Sequence, residues 1–468
     1  MTVQLTYFGF LFIPIALFIG FRKNVDLIYL LIFSSIFQAA SVLNVNSKFE
    51  FGLQPYYFVS VLLALSMCAQ VIINNGKLII KNNKKNLAVI LSLFGFYSAA
   101  SSFILPTVFN GVNVYSPRLG IDAQAEFGGV ALAWSYSNLA QAIYVLLNVF
   151  NVIFVLINTE KLKFQLANYW LIFSAFVVAI VGFYQFVANY FGLYFPSHFL
   201  YSNPIYYIGD NQKIASYLRI NSTFSEPSVA GIFLASITMY FFALSISKKK
   251  FSKIYFIAAL IMALSAAITT STTAYFVLFI GFISFSFFEL TSAVINKKIS
   301  KTVVLISFLA VAMTVVALGI ITYYGVFPEF YVMTIDKTHS LSYINRQLSN
   351  VAALKLTLET WLLGVGLGSN RPSSFVAYLF SNVGAIGSFV FFAFLYKLVK
   401  FSLIYKDKSS QVSYAPELFF LCVLFGMTAS VPDLSFGILW VAIILVLLWG
   451  AAGAKLHAAG DVAVLDKR

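Results

Sequence analysis

The stretch RINSTFSEPSVAGIFLASITMYFFALSISKKK, residues 219–250, decides the fold. Its centre, 228–246, is an unbroken apolar run, and about 20 such residues cross a bilayer core as a helix. Three lysines, Lys248 to Lys250, close one end, while Arg219 and a Ser/Thr/Pro-rich turn precede the other. Lysine collects on the cytoplasmic side of membrane spans, so this run points its C-terminal end inward and leaves Arg219 outside.

The pattern repeats along the chain. Of 468 residues, 60% are hydrophobic and only 10% charged, which predicts an all-α polytopic membrane protein. About thirteen transmembrane helices are expected, over 3–21, 27–44, 55–74, 87–104, 136–157, 169–192, 228–246, 254–270, 272–290, 302–325, 374–396, 413–431 and 435–452. Alternating the intervening loops sends 22 Lys+Arg to one side and eight to the other, half of those eight being arginine: Arg118, Arg219, Arg346 and Arg371. The N-terminus is therefore read as outside and the C-terminus as cytoplasmic. The net charge of +14 reports this topology and attraction to an anionic inner leaflet, not nucleic-acid binding. Cys68 and Cys422 both fall in apolar runs, so no disulfide framework is expected. The first span lacks a basic n-region and a cleavage site, and reads as a retained helix.

The chain reads as a single integral-membrane domain, 1–468, with three long outside loops at 105–135, 193–227 and 326–373. They carry aromatics, prolines and arginines, so ordered structure is expected rather than linker. The third holds a helical pattern, Ser340 to Leu363, ended by Gly364. Leu341, Ile344, Leu348, Ala352 and Leu356 form its apolar stripe; Arg346, Asn350, Thr357 and Thr360 lie opposite. Such a helix lies along a membrane surface with Arg346 at headgroup height.

Arginine's planar fork grips phosphate or carboxylate bidentately, which explains positive charge kept outside. Arg219 precedes the start of a span whose N-terminus faces outside, with Ser225 or Ser228 as cap and Pro227 in the first turn. That is an anion site with Glu226 beside it as a base, unless Arg219 and Glu226 merely pair. Gly364, Gly366 and Gly368 precede Arg371 and serve either as packing devices or as an anion-binding turn. No strand precedes this GxGxG, so it is no dinucleotide motif. His339 is the only imidazole near Arg346 in sequence and is a second candidate base. Arg118 has Asp122 and Glu126 nearby and reads as a surface ion pair. Tyr194, Phe195, Phe199, Tyr201, Tyr206 and Tyr207 suit either an interfacial aromatic belt or sugar stacking. No acidic pair stands outside to hold a metal, no span has a mid-membrane Asp, Glu, Lys or Arg, and no ATP-binding loop occurs, so metal sites, cofactors and driven transport are not expected.

Arg219-Ile-Asn-Ser-Thr-Phe-Ser-Glu-Pro-Ser228, the stretch Thr269-Thr-Ser-Thr-Thr-Ala-Tyr275, and Arg346 followed by Gly364-Val-Gly-Leu-Gly-Ser369 resemble the O-antigen polymerase (Wzy-type) and ligase superfamily. The resemblance covers residues 200–395 best. It implies a GT-C-like membrane glycosyltransferase of the bacterial inner membrane that builds O-antigen or a related surface polysaccharide. It also implies metal-independent transfer between undecaprenyl-pyrophosphate-linked oligosaccharide units on the outer face, with a separate chain-length regulator. Arg219, Arg346 and Arg371 would hold the pyrophosphate, with Glu226 first and His339 second as base. Ligases carry a His-x-His-Asn-like segment after the glycines; Asn370-Arg-Pro-Ser-Ser-Phe375 stands there instead, which favours polymerase. The alternatives are a ligase using another acceptor, and a flippase or exporter that binds the same lipid without chemistry.

Overall fold

The computed structural model describes residues 2–46, 50–73, 75, 80–117, 119–206, 208, 213–214, 217–247, 251–296, 339–404 and 414–465. In chain order its helices are α1 Tyr7–Arg22, α2 Leu27–Ser34, α3 Pro55–Ile73, α4 Asn82–Val108, α5 Ile121–Phe127, α6 Tyr136–Asn158, α7 Phe164–Phe191, α8 Ser197–Leu200, α9 Pro227–Ser247, α10 Ser252–Ile268, α11 Thr272–Asn296, α12 Leu341–Glu359, α13 Phe375–Ile404, α14 Ala415–Ser430 and α15 Gly437–Leu465. Among the described residues, eight helices (α3, α4, α6, α7, α9, α11, α13 and α15) are long and apolar enough to cross a membrane. Shorter apolar helices form α1, α10, α14 and the Asn24–Ser34 segment that ends in α2. The chain is thus mostly helical and has the make-up of a polytopic membrane protein. The expected span 302–325 lies outside the described residues.

The apolar run that follows Arg219 is α9, and it is the axis of the bundle: 94% of its apolar window is buried. It packs against α7, α10, α11 and α14. Small residues make that approach possible; Gly231 faces Ala274 and Ser271 so closely that an added Cβ would lie 2.9 Å from the Ala274 side chain. Ser236 and Thr238 return their hydroxyls to Ile232 O and Leu234 O, so no buried donor is wasted on hydrocarbon.

Two expected spans come out differently. Residues 3–21 begin as a strand: Thr2–Leu5 pairs with Leu43–Asn46, which pairs in turn with Phe51–Leu53. The helix starts only at Tyr7, where Thr6 Oγ1 accepts a bond from Gly9 N at 2.9 Å. Within 27–44 the helix stops at Ser34, and residues 35–42 run on as buried, irregular chain. Buried backbone outside a helix must find partners. The second long loop supplies them, through Ser202 Oγ to Ser41 N at 3.1 Å, Thr223 O to Ala39 N at 3.4 Å, and Ala39 O to Asn203 N at 3.1 Å. Hydropathy reads both stretches as apolar but does not separate helix from strand or wrapped chain.

The helix ends sort into two groups. At the lysine end, the C-terminus of α6 is held by charge: Lys84 Nζ donates to Thr159 Oγ1 at 2.6 Å and Lys455 Nζ to Thr159 O at 3.0 Å. This is the favourable pole of the helix dipole for cations. Glu160 bridges Lys81 and Lys455, at 2.9 and 3.5 Å. Glu417 is also buried near this end, in the first turn of α14, and accepts from Ser402. The Lys81 bond, with help from Lys455 and Lys84 against the cost of burial, holds the Glu160 carboxyl below its usual range. A depressed carboxyl stabilises the fold above its ordinary pKa and loses that contribution as pH falls through the folded value. Glu160→Gln is therefore expected to lower stability by less than about 1 kcal/mol near neutrality, since the group is half exposed. The difference from wild type should shrink as pH falls below the ordinary carboxyl range and through the depressed folded value, as thermal melts in detergent over a descending pH series would register.

Candidate functional site

The opposite end brings Arg219, Arg346 and Arg371 within electrostatic range of shared partners. α12 is capped by Ser340, whose hydroxyl accepts from Tyr343 N. It turns its small and polar stripe inward, burying Ser349, Ala353, Leu356 and Thr357. Its apolar stripe faces out, with Leu341 and Trp361 each 78% exposed and Ile344, Leu348, Val351 and Leu358 exposed between them. A water-facing helix has the reverse arrangement, so this face suits lipid. One residue departs from the stripe expected from sequence: Leu356 is buried with Phe109, Val114, Leu132 and Val365. Asn345 ties α12 to Asp122 of α5 at 3.0 Å.

A cavity of about 220 Å³ opens where α12 meets the first turn of α11 and the last turn of α14. Thr272, Thr273, Ser342, Arg346, Asn350 and Ser373 line it. Arg346 is its one charged wall residue, so the cavity offers a positive pole ringed by hydroxyls and amides. Asn350 Oδ1 also accepts from Ser373 N and Ser374 N, at 3.0 and 2.8 Å, and so fastens α12 to the start of α13. His339 is exposed just ahead of the Ser340 cap and is not part of the wall.

Arg219 leads into α9 through a turn built by other side chains than those expected. Gln185 Oε1 accepts from Asn221 N and Ser222 N, at 3.0 and 2.8 Å. Neither Ser225 nor Ser228 caps the helix: Ser225 Oγ donates to Gln38 Oε1, and Ser228 Oγ donates to Glu226 Oε2 at 3.0 Å. Glu226 itself stands at the cap, its carbonyl accepting from Val229 N and Ala230 N, its exposed carboxylate at the positive end of the α9 dipole. Burial depresses the pKa of the Arg219 guanidinium, the nearby charge of Arg346 depresses it further, and Glu226 acts against both. Arg219, Arg346 and Glu226 together carry a surplus positive charge, and Arg219 is partly desolvated, an arrangement that suits an added anion.

The glycine segment is a packing device. Gly364, Gly366 and Gly368 all have φ between +78° and +92°. At Gly366 an added Cβ would lie 2.6 Å from Ser101 O and 2.7 Å from the Pro106 ring. The segment docks against the break in α13: Val365 N donates to Ser381 O and Gly366 N to Asn382 O, while Ser369 N and Asn370 N share Asn382 Oδ1. Gly364 N and Arg371 N are likewise taken, by Thr360 Oγ1 and Tyr115 O. With these amides committed within the protein, an anion-binding turn is ruled out for them, and only the Arg371 side chain remains for recognition.

That side chain has a partner the sequence reading did not single out. Arg371 Nη2 lies 2.9 Å from Asp433 Oδ2, in the short link between α14 and α15. The link is rigid, because Trp440 Nε1 donates to Leu434 O and the Tyr57 hydroxyl to Ser435 O, both at 2.7 Å. Asp433 raises the Arg371 pKa against burial, with Tyr206 and Glu226 adding to the effect. Tyr206, whose hydroxyl accepts from Gln54 Nε2 at 2.7 Å, is pushed up to about 12 by burial and then by the Asp433 charge.

Glu226 thus acts on both Arg219 and Arg371, and Arg346 acts on Arg219. Three positive and two negative charges meet here, a net +1. Arg118 and Tyr207 lie outside the described residues. Phe199 packs on Phe8, and Tyr201 donates to Ser222 O at 2.8 Å, so these aromatics build structure; Tyr194 is exposed. Backbone strain marks the same places. Of five non-glycine residues at positive φ among those described, four are Ser222, Thr270, Trp361 and Leu362. They fall in the Arg219 segment, the Thr-rich turn and the lead-in to the glycines, and strain of this kind concentrates at functional sites. Among the described residues no group of three or more metal-capable side chains comes together. No protein-family model matches the chain, and no curated protein matches it.

Proposed function

We propose that this chain is an integral-membrane glycosyltransferase of the O-antigen polymerase type. On this reading the chain crosses the bacterial inner membrane many times, with the N-terminus outside and the C-terminus inside. The substrates are undecaprenyl-pyrophosphate-linked oligosaccharides, one as donor and one as acceptor. The observation that carries the reading is Arg346 in a hydroxyl-lined cavity beside a lipid-facing helix, with Arg219 and Glu226 within electrostatic range although Arg219 does not line that cavity.

A hydroxyl of the acceptor unit attacks the anomeric carbon of the donor chain. The new C–O bond forms as the bond to pyrophosphate breaks, and undecaprenyl pyrophosphate leaves with the electron pair. Arg219 and Arg346 stabilise the charge that builds on this leaving group, in a site partly withdrawn from water. Glu226 takes the acceptor proton, with His339 the second candidate. Arg371, already neutralised by Asp433, contributes less to the anion and more to the adjoining rim. Lipid tails lie along the outward face of α12, and the growing glycan extends over the outer loops.

Deleting the gene is expected to leave a single repeat unit on the host's glycolipid. Loss of a ligase would leave none, and an unchanged profile would contradict both. Glu226→Gln is expected to slow elongation by about 100-fold; full activity in a complementation assay would remove Glu226 as the base.

A further inference from the structure

We propose that Asp433, Arg371, Tyr378 and Tyr206 form a saccharide-binding subsite that holds the acceptor sugar, separate from the anion site at Arg219 and Arg346. The word acceptor rests on the glycosyltransferase reading; the affinity for a neutral sugar rests on the geometry alone.

Charge separates the two sites. Arg219 and Arg346 together exceed the one carboxylate near them, Glu226, and leave a surplus positive charge, whereas Arg371 and Asp433 cancel at 2.9 Å. A neutralised pair attracts phosphate poorly, yet it presents both donors and acceptors. Only Nη2 of Arg371 and Oδ2 of Asp433 are used on each other, and the Arg371 side chain is 43% exposed. A carboxylate, an arginine fork and tyrosines together match hydroxyl groups that donate and accept on a ring with apolar faces.

A second observation points to the same ligand. The Tyr378 hydroxyl is buried and has no hydrogen-bond partner among the described residues. Tyr378 sits on α13 directly under the Arg371 segment: Asn382 Nδ2 bonds both Tyr378 O and Asn370 O, and Asn370 Nδ2 bonds Ser381 Oγ. It lies within electrostatic range of Asp433 and Arg371. Buried polar groups are ordinarily satisfied, and a hydroxyl-bearing ligand would satisfy this one. The frame is stiff, since Asn138 holds Leu367 O and Ser369 Oγ, and Trp440 and Tyr57 hold the Asp433 link.

The test uses the full chain in lipid nanodiscs and two probes. One is the repeat-unit oligosaccharide released from its lipid by mild acid; the other is undecaprenyl pyrophosphate. Asp433→Asn and Tyr378→Phe are each expected to weaken oligosaccharide binding by about tenfold; Tyr378→Phe should leave undecaprenyl pyrophosphate binding unchanged, and Asp433→Asn, which frees the Arg371 charge, should not weaken it. Arg219→Lys is expected to do the reverse. The subsite is overturned if the wild type binds no free oligosaccharide, if both variants bind it normally, or if Tyr378→Phe loses both probes together. If the crossover holds but no lipid-linked glycan is lengthened, the polymerase reading falls and the subsite stands. If glycan is lengthened while both variants bind sugar normally, the subsite falls and the polymerase reading stands.

Discussion

If the proposed polymerase activity is right, glycan elongation should fall by about 100- to 1,000-fold when Arg219 or Arg346 is replaced by lysine. Lysine keeps the charge but presents a single ammonium in place of a planar fork with five donors. Electrostatic steering of the lipid-linked donor should survive, and the Michaelis constant should change little. The lost part is stabilisation of the leaving pyrophosphate, which grows only in the transition state. The two sites share one anion, so the double variant should be less impaired than the product of the single effects. Arg371→Lys should differ, losing its bidentate options toward sugar and Asp433 and cutting elongation less. Complementation of a deletion strain, read as glycan length on gels, checks all three; normal glycan in either Arg219→Lys or Arg346→Lys would remove that residue from the anion site.

The largest structural effect is expected at Gly384. This residue interrupts α13 with φ 68° and ψ −173°, a conformation essentially confined to glycine. An added Cβ would collide with Leu362 O and Leu363 O, in the chain that leads into the glycine segment. Ala385 N donates to that same Leu362 O at 2.8 Å, so the carbonyl has little freedom to retreat. Backbone strain and overpacking together put the cost of Gly384→Ala at roughly 3 kcal/mol or more. The glycine segment would lose its dock, and with it the position of Arg371. Thermal unfolding in detergent should fall markedly, whereas Gly120→Ala, in open space on the surface, should leave it unchanged. Equal melting of wild type and Gly384→Ala would refute the docking described here.

Much of the helical framework was legible because a bilayer imposes a length and a polarity that the sequence has to obey. The run 228–246 became Pro227–Ser247, and 136–157 became Tyr136–Asn158. Legibility failed where apolar residues serve something other than a helix. Val3 lies in a strand, and Ile36 to Val42 wrap as irregular chain over the second long loop. At the site, arginine in outside loops was a usable signal because the topology makes positive charge there unusual. Asp433 carried no such mark. It is a single acidic residue in a short link, and its partner Arg371 lies 62 residues away. The sequence cue was its place, next to Pro432 between two apolar runs with no other charge in the link. The glycines misled in the opposite direction: their spacing suits an anion-binding turn, but the amides of Gly364, Val365 and Gly366 are spent on Thr360, Ser381 and Asn382. Spacing does not disclose which backbone groups are already bonded.

The central claim is that the chain joins lipid-linked oligosaccharides through an anion site made by Arg219 and Arg346. Purified protein in nanodiscs, given undecaprenyl-pyrophosphate-linked repeat units in the presence of a chelator, tests it most directly, with glycan length read by mass spectrometry. The account predicts products of two or more repeat units from the wild type and none from the Arg219→Lys, Arg346→Lys double variant. Unlengthened glycan from active wild-type preparations, or equal products from both proteins, would contradict it.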